Sequence, residues 1–256
     1  MTHPENDLGE ALAEICEAAA DLILPLWRSG LAVIHKKDAS PVTEADQRGE
    51  ALILAQLAAR FPGVPVISEE DASEFGTPDA IGPRFFLVDP LDGTKAFVRG
   101  DPSFTVNIGL IENGQSVAGA VVAPPTGEAW YTQGGQALKR VNRGASQPVR
   151  VRPWDPAEAL ALVSHTAREE EIERLRAQYG FARHQPMDSS IKLCRIAEGA
   201  ADIYPRHGPT MEWDVAAAQA VLEAAGGRMA TPDGAPFLYG KAGEGFRNGW
   251  FVARGG

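Results

Sequence analysis

A chain of 256 residues, 44% hydrophobic and 23% charged, has material for one large domain or two joined halves around a buried core. Its net charge of −10 argues against a nucleic-acid binder that works by neutralising phosphates, and its apolar stretches are broken by charge, Pro or Gly before they could span a membrane. Cys16 and Cys194, far apart, offer neither a disulfide framework nor zinc spacing, and "MTHPENDLGE" lacks the basic and apolar regions of a secretory signal, so a reducing cytoplasm is the expected compartment.

Along the chain, Leu8, Leu12, Ile15, Ala19, Leu22 and Leu26 recur every three or four residues and predict an amphipathic helix. After the turn-rich "KKDASPVTEADQRGE", Ala51, Leu52, Leu54, Leu57 and Ala58 predict a second helix that stops at "FPG". "VPVISEED" and "RFFLVDP" read as strands that start buried and end in solvated acids. In "FTVNIGLIENGQSVAGAVVAPPTGEAWYTQ", Asn113-Gly114 marks a hairpin turn and Pro124 to Gly127 lead into a third strand. A composition shift over residues 145 to 156 suggests a joint between halves 1–150 and 151–256. Beyond it, "ALALVSH" reads as a strand, "REEEIERLRAQYG" as a helix stopped by glycine, and "SIKLCRIAEGAADIYP" as helix then strand. The Ala-rich "MEWDVAAAQAVLEAAGG" predicts a helix closed by Gly226-Gly227, and "GWFVAR" a last strand.

The chemistry concentrates in carboxylates. Glu69-Glu70-Asp71, the pair Asp89 and Asp92, and Asp214 each stand where an element meets a turn, with Asp46 a weaker fourth position. Two aspartates three positions apart repel unless a cation lies between them. Oxygen ligands of this kind suit Mg²⁺, Mn²⁺ or Ca²⁺ rather than zinc. The five histidines have no metal-ligand spacing, and the chain has no EF-hand loop, Walker phosphate loop or GxSxG elbow. Gly93 permits a tight turn and Thr94 is placed to start a short helix through Phe97, whose free N–H groups suit phosphate oxygens. Metal-assisted hydrolysis of a phosphate ester is the reaction class these features suggest; solvated acids at a turn are the plain alternative.

"FLVDPLDGTKAFVR" (86–99), "WDVAAAQAVLEAAGG" (213–227) and "SEED" twenty residues ahead of Asp89 together resemble the inositol monophosphatase superfamily of metal-dependent phosphatases. "SPVTEAD", "FTVNIGLIENG", "SSIKLC" and "AEGAADIYPRHGPT" resemble most its 3′(2′),5′-bisphosphate nucleotidase branch. The resemblance, from about Lys36 to Gly227, implies an α/β fold, an alternating α-β-α-β-α sandwich of two halves. The first half carries the SEED and DPLDGT motifs and the second the WD motif. It further implies dependence on two or three Mg²⁺ ions (Mn²⁺ an option), lithium sensitivity, and removal of the 3′-phosphate of adenosine 3′,5′-bisphosphate or its sulfated relative during sulfate assimilation.

Carried onto this chain, the resemblance makes Glu69, Asp89, the Leu91 carbonyl, Asp92 and Asp214 metal ligands. Glu69 and Thr94 orient the attacking water, Asp46 lies near a more weakly held metal, and Gly93 and Thr94 cradle phosphate. The expected mechanism is direct in-line attack by activated water, with no phosphoenzyme. Ala96 and Ala218 depart from the pattern, which usually has Glu and Gly there; the first bears on substrate choice near the site mouth, the second on helix packing alone.

Lys192 and Arg206, with Ser190 nearby, are candidates for a second phosphate, a surface salt bridge or helix-face cation being the competing reading. Lys36 and Lys37 read as solvated loop lysines. "RHG" at 206–208 superficially matches phosphohistidine phosphatases but stands too late in the chain for covalent His207 catalysis. Trp213, Cys16 and Cys194 read as core residues. The expected partner is a small phosphorylated molecule, a nucleotide first, with no nucleic acid. Inositol monophosphate, histidinol phosphate, a sugar phosphate, and a catalytically silent binding protein remain open alternatives, as do monomer or homodimer and peripheral attachment to the inner membrane.

Overall fold

The computed structural model describes residues 8–29, 34–35, 41–42 and 44–256; Lys36 and Lys37 lie outside the described residues. In α1 (Leu8–Ser29), Leu12, Ile15, Cys16, Ala19 and Ile23 form one buried stripe at helical spacing. The short antiparallel pair β1 (Ile34–His35) and β2 (Pro41–Val42) precedes α2 (Glu44–Arg60). The buried stripe of α2 (Ala45, Asp46, Gly49, Glu50, Ile53, Leu57) also keeps the helical period, yet includes two carboxylates. Burial of charge on a helix face needs a structural reason, and both lie toward the candidate site.

The first sheet runs β3 (Val66–Ser68), β4 (Arg84–Asp92), β5 (Thr105–Glu112), β6 (Gln115–Ala123), β7 (Glu128–Gln133), β8 (Gln136–Val141) and β9 (Gln147–Pro148), side by side in chain order. Only β3 and β4 are parallel within it, joined through α3 (Glu69–Phe75). After β4 the chain makes α4 (Thr94–Arg99) before entering β5. Asn113 and Gly114 turn from β5 into β6 with φ of 51° and 79°, the positive pair a two-residue hairpin requires.

The second sheet takes β10 (Leu160–Val163), β11 (Arg183–Pro186), β12 (Ile203–Arg206), β14 (Arg228–Ala230) and β16 (Phe251–Arg254) in the order β11-β10-β12-β16-β14. Helix α5 (Glu169–Tyr179) leads from β10 to β11, and α6 (Ile191–Ala197) from β11 to β12. The small pair β13 (Thr210–Met211) and β15 (Arg247–Asn248) flanks the start of α7 (Glu212–Ala224).

Side-chain alternation along the strands separates three cores. Phe86, Val88, Val106 and Ile108 face α1 and α2. Phe85, Leu87, Val121 and Trp130 face the opposite way, onto α6, α7 and the near side of the second sheet through Tyr204 and Phe251. Ala161, Val163 and Ile203 on the far side of the second sheet pack against Ile172 and Leu175 of α5. The result is the expected helix–sheet–helix–sheet–helix sandwich, with α7 in its middle layer.

Two expectations are corrected. Glu69 to Phe75 form a helix rather than the solvated end of a strand, and Asp89 is 1% exposed rather than solvated. Short strands β8, β11 and β14 had no alternation long enough to announce them. No helix among the described residues is long and apolar enough to cross a membrane.

Candidate active site

Positions three apart on a regular strand face opposite ways. In β4 the register breaks between Asp89, paired with Asn107, and Asp92, paired with Thr105. Pro90 and Leu91 therefore stand opposite one residue of β5, and this bulge returns both aspartates to the same face. Pro90 has no N–H to lose there, so it suits a bulge. The Leu91 N–H donates to Asp89 Oδ1 at 3.0 Å. The Thr94 hydroxyl lies 3.1 Å from the Leu91 carbonyl and 3.2 Å from Asp46 Oδ1, and its one proton serves either acceptor in turn. Gly93, with φ of 95°, makes the turn between them; a Cβ there would stand 2.8 Å from the Ser103 carbonyl oxygen.

Parallel pairing sets the next acid. Ser68 is opposite Val88, so Glu69 and Asp89 leave neighbouring strands side by side. Asp214 arrives from the middle layer as the third residue of α7, its Oδ2 accepting the Met211 N–H at 2.8 Å. Carboxylate oxygens of Glu69, Asp89 and Asp214 all lie within 4.8 Å of one another. Among the described residues, the buried Oδ2 of Asp89 has no hydrogen-bond partner. Burial, then the charges of Glu69, Asp92 and Asp214, push the Asp89 carboxyl well above the usual range. Asp214 is pushed up by burial and by Asp92 and Glu69. Acids so placed either hold protons or share a cation. The all-oxygen donor set and the orphaned Asp89 oxygen fit Mg²⁺ or Mn²⁺.

Asp92 is engaged differently. Its Oδ2 accepts the Ser190 N–H and, at 3.5 Å, the Asn107 side-chain amide. The Ser190 hydroxyl donates to Asn107 Oδ1 at 2.8 Å and lies 2.9 Å from the Thr105 hydroxyl. Burial raises the Asp92 carboxyl to about 6 against the lowering effects of Lys192 and the Ser190 N–H. Lys192 is buried, its ammonium donating to the carbonyls of Ser189 (2.6 Å) and Met187 (3.2 Å) and lying 4.8 Å over the Tyr204 ring. Burial brings its pKa down to about 8. Arg206 Nη2 donates to the Pro209 carbonyl at 3.0 Å, and its Nε has no partner among the described residues. An exposed helix-face role for Lys192 is thereby overturned.

One cavity of about 340 Å³ is bordered by Glu69, Asp89, Leu91, Asp92, Gly93, Thr94, Ser190, Lys192, Arg206 and Asp214. Of the residues assigned from the sequence to hold metal, orient water or bind phosphate, only Asp46 is not on its wall; it is 2% exposed and bonded to Thr94. Ala96 borders the cavity but is fully buried rather than at an open mouth, and Ala218 is packed in the middle core. His207 is off the cavity wall: its Nε2 lies 3.1 Å from the Tyr179 hydroxyl and its ring stacks on Trp250 at 4.7 Å. Trp213, Cys16 and Cys194 are core residues. Asn107, Thr105 and Glu50 went unnoticed in the sequence; a polar residue inside the apolar run "FTVNIGL" was the one available signal for Asn107.

The chain is similar to known proteins over nearly its whole length. A profile described as the inositol monophosphatase family matches residues 6–252. The 3′(2′),5′-bisphosphate nucleotidase CysQ of Salmonella typhimurium is 37% identical over 222 residues, covering 86% of this chain and 89% of that protein. The Escherichia coli protein of the same name is 36% identical over 232 residues, covering 90% of this chain and 93% of that one. The crystal structure of CysQ from Bacteroides thetaiotaomicron, described as a bacterial member of the inositol monophosphatase family, superposes with a TM-score of 0.79 at 30% identity. It covers 98% of this chain and 97% of its own.

Proposed function

The chain belongs to the inositol monophosphatase family, and from that premise we propose that it is a Mg²⁺-dependent phosphomonoesterase removing the 3′-phosphate of adenosine 3′,5′-bisphosphate or its sulfated relative. The observation that carries the reading is a single cavity bordered both by the acid trio Glu69, Asp89 and Asp214 and by the cations Lys192 and Arg206. A substrate with two phosphates needs both kinds of wall.

In this reading Glu69, Asp89, the Leu91 carbonyl, Asp92 and Asp214 hold two or three Mg²⁺ ions, with Mn²⁺ able to replace them. When bound, such ions lower the pKa of a water and offset charge on the entering and leaving oxygens. Glu69 and Thr94 orient the water for in-line attack. Asp46 accepts the Thr94 proton and so turns the hydroxyl lone pairs toward the cavity. Gly93 and Thr94 cradle the scissile phosphate, while Ser190, Lys192 and the two-pronged Arg206 receive the other one. An ammonium with a pKa near 8 is still largely protonated at neutral pH and keeps its attraction for phosphate.

Phosphate release from adenosine 3′,5′-bisphosphate, inositol 1-phosphate, histidinol phosphate and a sugar phosphate tests the substrate. The expected preference is for the bisphosphate. A tenfold preference in kcat/KM for any of the others, about 1.4 kcal/mol in the barrier, would replace it.

A further inference from the structure

Helix α3 begins at Glu69, and its own N-cap residue, Ser68, makes no side-chain cap. The N–H groups that such a cap would take, those of the second and third helical residues, are taken from outside. Glu50 Oε1 on α2 accepts the N–H of Glu70 at 3.0 Å and of Asp71 at 3.4 Å. Glu50 is 6% exposed and stands one helical turn after Asp46 on the same buried stripe. That stripe therefore grips the site twice: Asp46 meets Thr94 after the β4 bulge, and Glu50 meets the first turn of α3. Gly49 between them packs against α1, where a Cβ would lie 3.0 Å from Ile23 Cδ1; the same Cβ would lie at an ordinary contact distance of 3.6 Å from Pro90 of the bulge.

Burial and the charge of Asp71 make this a costly place for the Glu50 carboxylate, and the Ser68 hydroxyl and the N–H groups of Glu70 and Asp71 favour it there. We propose that Glu50 is a positioning residue for the metal centre, supplying from α2 the cap that α3 lacks and so fixing Glu69 against Asp89 and Asp214. The inference rests on the metal-dependent reading above. It adds that the geometry of an acceptor oxygen, rather than the negative charge of Glu50, is what matters. A glutamine at this position keeps the acceptor and loses the charge; an aspartate keeps the charge and withdraws the oxygen by one methylene.

The test is Mn²⁺ binding measured by calorimetry on the intact protein, with no substrate present, for wild type, Glu50→Ala, Glu50→Gln and Glu50→Asp. Removing or withdrawing the oxygen (Ala, Asp) should raise the Kd about tenfold or more, and Gln should stay within about threefold of wild type. Melting temperature in chelator reports on folding separately. A well-folded Glu50→Ala protein with wild-type affinity overturns the proposal. So does a Gln variant as weak as the Asp variant or weaker, since charge would then be what counts. If Glu50→Ala does not fold, the Gln and Asp variants decide alone by the order of their affinities. Absence of Mn²⁺ binding to the wild type would instead sink the metal-dependent reading itself.

Discussion

Gly109 of β5 and Gly119 of β6 are direct cross-strand partners, and together they leave a bare patch of backbone beneath α7. A Cβ on Gly119 would stand 2.7 Å from Ala217 Cα, and one on Gly109 would stand 2.8 Å from the Ala217 nitrogen. Ala216 and Ala217 fill the space that side chains would occupy. The Ala-rich composition of α7 is thus explained by close approach to the sheet, and that approach sets the depth at which Asp214 enters the site.

Gly119→Ala should accordingly push α7 outward and destabilise the protein by roughly 3 kcal/mol, the upper range for overpacking a core. Urea unfolding measures the cost. Mn²⁺ affinity should fall as well, because Asp214 moves with its helix. A loss below about 1 kcal/mol would mean that α7 is free to shift and that the glycine pair does not fix its height.

Asp89 combines the deepest burial in the acid trio with an oxygen that has no hydrogen-bond partner among the described residues. Asp89→Asn keeps an acceptor for the Leu91 N–H while removing one of several crowded charges. Turnover should drop at least about a hundredfold, as expected for loss of a metal-holding group. In chelator the same variant should melt higher than wild type, because functional sites of this kind are kept at a cost in stability. Unchanged turnover, or a lower melting temperature in chelator, would contradict the assignment.

The raised acids fix the sign of a pH effect. The Asp92 carboxyl goes from 3.8 to about 6 on folding, so the folded chain binds its proton more tightly than the unfolded chain. Its ionisation penalty is absent below about pH 4, grows as pH rises to 6, and is then complete. Asp89 and Asp214 are raised too, by burial and by their neighbouring acids, so they act in the same direction. Metal-free protein should therefore melt higher at pH 4.5 than at pH 6.5. Adding Mg²⁺ should shrink or reverse the difference, since the ion binds the ionised acids. Melting curves at the two pH values, with and without chelator, read it directly; equal melting temperatures in chelator would count against convergence of the acids.

The acids themselves were legible because each stands at a junction that short-range rules can find: a proline bulge after an apolar run, a helix start before an alanine run. Helices α1, α2, α5 and α7 and the β5–β6–β7 hairpins were legible for the same reason, through period and turn residues. What the sequence hid depends on distant partners. Glu50 looks like one more helix glutamate until α3 is laid against it. Gly109 and Gly119 look like weak points in two strands until α7 covers them. Asn107, Thr105 and Ser190 join only because β5 and the start of α6 meet across Asp92. Burial of Asp89 was equally invisible, because "solvated acid at a strand end" and "acid waiting for a cation" share one local pattern.

The far end of α6 offers a last test. Ser190 and Lys192 belong to its start, while Arg195 and Glu198 at its end enter a charge cluster with Glu128 of β7 and Lys139 of β8. Arg195 binds Glu128 through both arms at 2.9 and 2.6 Å, and Lys139 reaches Glu128 at 2.6 Å and Glu198 at 2.7 Å. Trp130 donates to Glu198 at 2.9 Å between the two cations, which lie 4.9 and 5.0 Å from its ring. Burial works against ionised Glu128, yet hydrogen bonds from Arg195, Lys139 and Thr126 bring its pKa from 4.5 down to about 2. A lowered acid stabilises above its unfolded value and loses that contribution as pH falls from about 4.5 to 2. Arg195→Met should cost roughly 2–3 kcal/mol near neutral pH, less than a fully buried pair because this one is partly exposed. It should also flatten the loss of stability between pH 5 and pH 3. Because α6 carries Ser190 and Lys192 to the cavity, KM for the bisphosphate should rise while a substrate with one phosphate is little affected. A variant as stable as wild type, with the acid limb unchanged, would show that α6 is held by its apolar face alone.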